Sequence, residues 1–130
     1  MNIKLFGILY IIQVLFSIND FKTCGNINLY SIFIFLFHHL IDVYAFFGIL
    51  FIESKEEKKL HLLVIAGVIV HWLTNNYECI LTTHLNEICN VDRKTYFPDI
   101  VTSIRAVTGI TYLHLYWLVI VIIYDLNKYR

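Results

Sequence analysis

Apolar residues in this chain fall into four blocks, separated by short stretches where polar and charged residues gather. The blocks run over residues 3–18, 29–52, 61–82 and 106–124. Crossing about 30 Å of hydrocarbon takes a helix of roughly 20 apolar residues at about 1.5 Å each. Leu29–Ile52 reaches that length despite a polar knot at its middle, and His61–Thr82 reaches it with polar residues after Leu73. Ala106–Tyr124 is the cleanest block, and Pro98 is placed to begin its helix a few turns earlier. Ile3–Ile18 is short for a span, about 24 Å if helical. It reads either as a thin, retained first span or as a signal peptide, because Lys4 precedes an apolar run of suitable length. The pattern predicts an all-α fold, a single domain over residues 1–130. It is an integral membrane bundle of four transmembrane helices, or of three if the first segment is cleaved.

Composition strengthens that expectation. Of 130 residues, 58% are apolar, and the ten basic and ten acidic residues cancel. Uncharged runs of 15, 19, 18 and 19 residues follow Lys4, Lys22, Lys59 and Arg105. A small soluble domain has too much surface to hide four such runs, so the composition argues against a soluble enzyme. Zero net charge offers no basic field for nucleic acid. The partner it implies is a lipid bilayer, with a homo-oligomer or a membrane-protein partner left open. With four spans, Lys4, Lys55, Lys58, Lys59, Lys128 and Arg130 share one side and Lys22, Arg93, Lys94 and Arg105 the other. The positive-inside rule then places both termini in the cytoplasm.

On that topology the three cysteines gather on the outer side. Cys24 and Cys89 fall in the two outer loops, where a disulfide between them would tie the first two helices to the last two. Three thiols acting as small apolar side chains are the alternative, and an odd count leaves at least one unbridged within the chain.

The centres of the spans carry an unexpected polar layer. His38, His39 and Asp42 lie near the middle of the second block, His71 of the third and His114 of the fourth. An ionisable group at such a depth costs roughly 2.5–3.5 kcal/mol on insertion scales, so it should face the bundle interior. On a continuous third helix, His71, Asn75, Glu78 and Thr82 would form one polar stripe running outward. Imidazoles on facing helices can clamp a haem iron, which makes His38, His39, His71 and His114 candidate cofactor ligands. With Asp42 added, the same set is a candidate site for a divalent metal. An Asp–His chain could also relay protons. Against these stands a structural reading, in which the same groups hydrogen-bond one another and fix helix register. His61 reads as an interfacial residue and His84 as solvated.

No soluble catalytic motif accompanies these residues: Gly-x-Ser-x-Gly, a phosphate loop and His-Glu-x-x-His are all missing. One set of residues does carry a likeness. His39, Phe46-Phe47-Gly48, Leu60-His61-Leu62, Trp72 and Cys79-Ile80-Leu81-Thr82 with Glu87 downstream resemble a family of small four-helix bacterial membrane proteins of unknown function. The resemblance covers residues 38–87, with Ile80 where the family has proline. It implies the four-helix architecture and no particular activity. The function expected from sequence is therefore a structural or assembly component of a membrane. The alternative is a haem- or metal-binding redox or transport protein.

Overall fold

A computed structural model of the chain describes residues 1–22, 24–76, 78–91, 107–110 and 112–128, with the Asp20 side chain left aside. It is all-helical over those residues. Helix α1 spans Ile3–Phe21, α2 Leu29–Phe47, α3 Lys55–Thr74, α4 Ile80–Cys89 and α5 Leu113–Asn127.

Local chemistry sets most of these boundaries. Asn28 and Ser31 cap the start of α2 reciprocally, each backbone N–H donating to the other's side chain at 2.9 Å. Ser54 and Glu57 do the same for α3 through the spacing Ser-x-x-Glu, which draws that helix back to Lys55. At the other end α3 stops at Thr74. Asn75 closes its last turn, and Asn76 takes a left-handed conformation with φ 53°, which asparagine tolerates better than most residues.

The third predicted span is therefore corrected. A continuous helix over 61–82 is replaced by two helices with a polar joint at residues 75–79, and the polar stripe His71–Asn75–Glu78–Thr82 does not form. The fourth predicted span is shortened for a similar reason. Gly109 adopts φ +67°, open to glycine but costly for other residues, and α5 begins at Leu113 and extends to Asn127. Residue 106, like Pro98 and Arg105, lies outside the described residues. Among the described residues, one helical segment, Leu29–Leu50 with its closing 3₁₀ turn, is long and apolar enough to cross a membrane. Ile3–Asn19 and Leu113–Asn127 are apolar but shorter.

Helix α2 is the hub, packed by α1, α3, α4 and α5. Its first half lies against the end of α1 and against α4, in a core of Phe21, Ile34, Phe35 and Leu85 with the Cys24–Cys89 disulfide at its edge. Its second half packs α3 and α5 through Ala45, Phe46, Ile65, Trp72, Leu118 and Val121. Phe51 and Ile52, just past the 3₁₀ turn, join Val43 beneath Leu5, Phe6 and Leu9 of α1.

The contacts fix the chain's course. The Met1 ammonium meets Glu57 at 2.8 Å, and Asn2 N–H donates to Phe51 O at 2.7 Å. The start of α1, the turn before α3 and the end of α5 therefore share one end of the molecule. The disulfide lies at the other.

Candidate functional site

Two groups of polar side chains emerge. The first surrounds the middle of α2. His38, His39 and Asp42 all face inward, at 5%, 2% and 7% exposure. His39 Nδ1 meets Gln13 Nε2 of α1 at 3.3 Å, and its ring stands edge-on to Phe35. His38 turns toward α4. Its Nε2 lies 3.5 Å from Cys79 Sγ, 3.4 Å from Thr82 Oγ1 and 3.6 Å from Asp42 Oδ2. Three helices and the joint before α4 thus converge on two adjacent imidazoles.

The geometry limits what this group does. In a nucleophile–imidazole–carboxylate triad, the thiol and the carboxylate engage opposite ring nitrogens. Here both approach Nε2 of His38, so Asp42 does not orient the ring for a relay. What remains is a thiol beside a base, with a carboxylate near enough to offset charge on that base.

The other two histidines of the sequence-derived set lie elsewhere. His71, in the last turn of α3, accepts the Ile80 N–H on Nε2 at 3.1 Å and so satisfies the first free N–H of α4 across the joint. His114 is buried in α5, edge-on to Trp72 with ring centres 4.8 Å apart. The candidate haem ligands His38, His39, His71 and His114 are thus distributed over three separate surroundings. Among the described residues, no three His, Cys, Asp or Glu side chains are arranged to hold a metal ion, the proposed set with Asp42 included. His38 and His39 are neighbours on one helix, and His71 Nε2 is engaged by Ile80.

The second group was not read from the sequence. His61 is 0% exposed and Asp125 1%. Asp125 Oδ2 lies 2.7 Å from His61 Nδ1, and Ala45 O lies 3.3 Å from His61 Nε2. Nε2–H donates to the Ala45 carbonyl, and Nδ1 is hydrogen-bonded to the Asp125 carboxyl group. The expectation that His61 is an interfacial residue is corrected: α3 starts six residues earlier than the predicted span, which carries His61 into the packed interior.

The local reason for this pair is the way α2 ends. Gly48 N–H closes the α-helix on Tyr44 O, and the chain tightens into a 3₁₀ turn over Gly48–Leu50. His61 Nε2–H supplies Ala45 O, and Trp117 Nε1–H supplies Phe46 O at 2.9 Å. A cationic or strongly donating group at a helix C-terminus is also favoured by the helix dipole. Gly48 makes room for it, since a Cβ there would run into the His61 imidazole.

The spacing of α3 and α5 organises the same region. Residues 61, 65, 68 and 72 of α3 and 114, 118, 121 and 125 of α5 both step by four, three and four, the repeat of a coiled-coil seam. His61 meets Asp125 at one end and Trp72 meets His114 at the other, so the helices pair antiparallel. That shared spacing was the signal in the sequence that could have found the pair.

Cys24 and Cys89 are joined as a disulfide, while Cys79 keeps its thiol. His84, half-exposed on α4, meets Tyr30 Oη at 2.9 Å. Of the charges that set the orientation, Arg93, Lys94, Arg105 and Arg130 fall outside the described residues. Compared with protein families, curated proteins and solved structures, the chain shows no match.

Proposed function

We propose that this chain is a small multi-pass integral membrane protein whose role is structural, as a component or assembly factor of a membrane. In this reading α1, α2, the α3–α4 pair and α5 each cross the bilayer. The observation that supports it is an inverted distribution of side chains. Helix α5 buries His114 and Asp125 yet exposes Tyr116, Val119, Ile120 and Ile123. Helix α1 exposes Ile8, Ile11, Ile12, Leu15 and Phe16, and α2 exposes Phe33, Leu36, Phe37 and Leu40. Apolar faces of this extent belong against lipid or another apolar surface, not against water.

The polar interior suits the structural role. Gln13–His39, His61–Asp125 and Trp117–Phe46 O each connect different helices. In hydrocarbon such bonds hold register, at about 0.6 kcal/mol each on average. The end carrying Met1, Lys55, Lys58, Lys59 and Lys128 is the cytoplasmic one in this reading, and the disulfide faces the oxidising side.

Washing membranes at alkaline pH is the direct test. The protein should stay in the membrane and need detergent for extraction; release as a water-soluble monomer would overturn the proposal. Absorption and metal content of the purified protein test the structural role. A haem band or stoichiometric metal, lost in His38→Ala or His114→Ala, would replace it with a cofactor role.

A further inference from the structure

Helix α3 carries two seams on opposite sides. His61, Ile65, Val68 and Trp72 face α5 and the end of α2. On the other side Glu56, Lys59, Leu63, Ala66, Val70 and Leu73 step alternately by three and four residues, and all six are exposed. That is coiled-coil spacing again, turned outward. The outward seam runs between two polar ends. It begins with Glu56 and Lys59, which pair at 2.7 Å. It ends at the joint before α4, where Thr74, Asn76 and Glu78 are exposed. Cys79 meets His38, so this joint lies level with the centre of the Leu29–Leu50 segment. Hydrocarbon offers no hydrogen bonds, and irregular polar backbone at that depth is tolerated only against protein or water.

We propose, resting on the membrane reading above, that the outward face of α3 binds α3 of a second copy of this chain as a parallel two-fold pair. Two copies inserted with one topology bring the same seam and the same joint to the same depth. The Asn76 amide both donates and accepts, so across the axis each copy offers what the other lacks. Charge is self-complementary as well. Glu56 of each copy lies within a helical turn of Lys59 of the other, and the four charges sum to zero at the water-facing end. Midway along the seam the helices have room to approach, because a Cβ built on Gly67 meets nothing within 4 Å. Lipid matches the apolar middle of this face but neither of its ends.

The experiment uses the full-length chain with its native bridge and Cys79→Ser as background. Leu63→Cys and Val70→Cys place a thiol on the seam, and Ile11→Cys and Ile120→Cys place one on the exposed faces of α1 and α5. Mild oxidation in membranes should link the first two into a species of twice the chain mass and leave the controls unlinked. Sedimentation of the wild type in detergent should give a dimer. Gly67→Leu has room in the single chain but not between copies, so it should weaken the dimer about tenfold or more with the helical circular-dichroism signal retained. Lys59→Glu should weaken it too, and Glu56→Lys added to Lys59→Glu should restore it. A monomer by sedimentation without linkage at 63 or 70 overturns the proposal. So does linkage of Val70→Cys to a different protein, equal linkage of the controls, or a dimer that Gly67→Leu leaves unchanged. A chain that survives the alkaline wash but stays monomeric overturns the pairing and leaves the membrane reading standing, whereas release by the wash overturns both.

Discussion

The two halves of α2 are served by different kinds of interaction. Around His38 the neighbours come from α1 and α4, the polar distances run from 3.3 to 3.6 Å, and a covalent bridge secures the far end. Around Gly48 the neighbours come from α3 and α5, the central His61–Asp125 hydrogen bond is at 2.7 Å, and apolar residues at coiled-coil spacing seal it. One region is held by a cross-link and by longer polar contacts. The other is closed by short hydrogen bonds and packing, without a cross-link. Polar atoms inside an apolar bundle thus serve two ends, and the length and enclosure of their contacts separate them.

The contrast can be broken most severely at the closed end. His61→Ala leaves a buried carboxylate without its partner, which costs about 3–5 kcal/mol for pairs of this kind. His38→Asn, in looser surroundings, should cost about 1 kcal/mol. Thermal unfolding of both variants in the same detergent checks the ranking, and equal losses would erase the distinction between the halves.

Removing the bridge probes the other half. Cys24→Ser with Cys89→Ser frees a loop of 65 residues in sequence separation and should lower stability by about 2–4 kcal/mol. Hydrogen exchange should then rise in α4 and the end of α1, while α3 and α5 near His61 stay protected. Uniform loosening would mean that the two halves unfold as one.

Trp117→Phe keeps an aromatic ring but removes the pyrrole ring with its donor to Phe46 O, so a loss of at least about 1 kcal/mol is expected. The smallest effect concerns pH. Hydrogen bonds from the Met1 ammonium and from the Ser54 and Glu53 N–H groups hold the Glu57 carboxyl down at about 2. A lowered carboxyl stabilises the folded state fully above its ordinary value near 4.5, and that share is lost as pH falls toward 2. Glu57→Gln should therefore lower the neutral plateau of a stability–pH curve slightly and flatten its acid limb, with stability near pH 2 nearly unchanged.

Much of the architecture could be read from the sequence, and the failures have specific causes. The starts of α2 and α3 are written in their caps, Asn28 with Ser31 and Ser54 with Glu57. The midpoint reading of residues 61–82 went astray because hydropathy averages across Asn75 and Asn76, where the backbone reverses its handedness. That error propagated. Placing the third span too late put His61 at an interface and aligned His71 with His38, when His71 actually caps the helix that follows it. His38, His39 and Asp42 do share a face of α2, as the helical period requires. Which helices would supply their neighbours depended on the break, and Cys79 entered the group through it. Asp125 was passed over because it follows the last apolar block, although its spacing from Val121 and Leu118 matches that of His61 with Ile65 and Val68.

The end of α2 also bears on the order in which the molecule can be made. Ala45 O waits 16 residues for His61, Phe46 O waits 71 for Trp117, and His61 itself waits 64 for Asp125. During synthesis from the N-terminus, α1, α2 and α4 can assemble and even acquire their bridge while this end is still open. A ribosome stalled between Cys89 and Trp117 would therefore hold a chain that is oxidised at one end and unfinished at the other. Completion rests on the arrival of a single late helix.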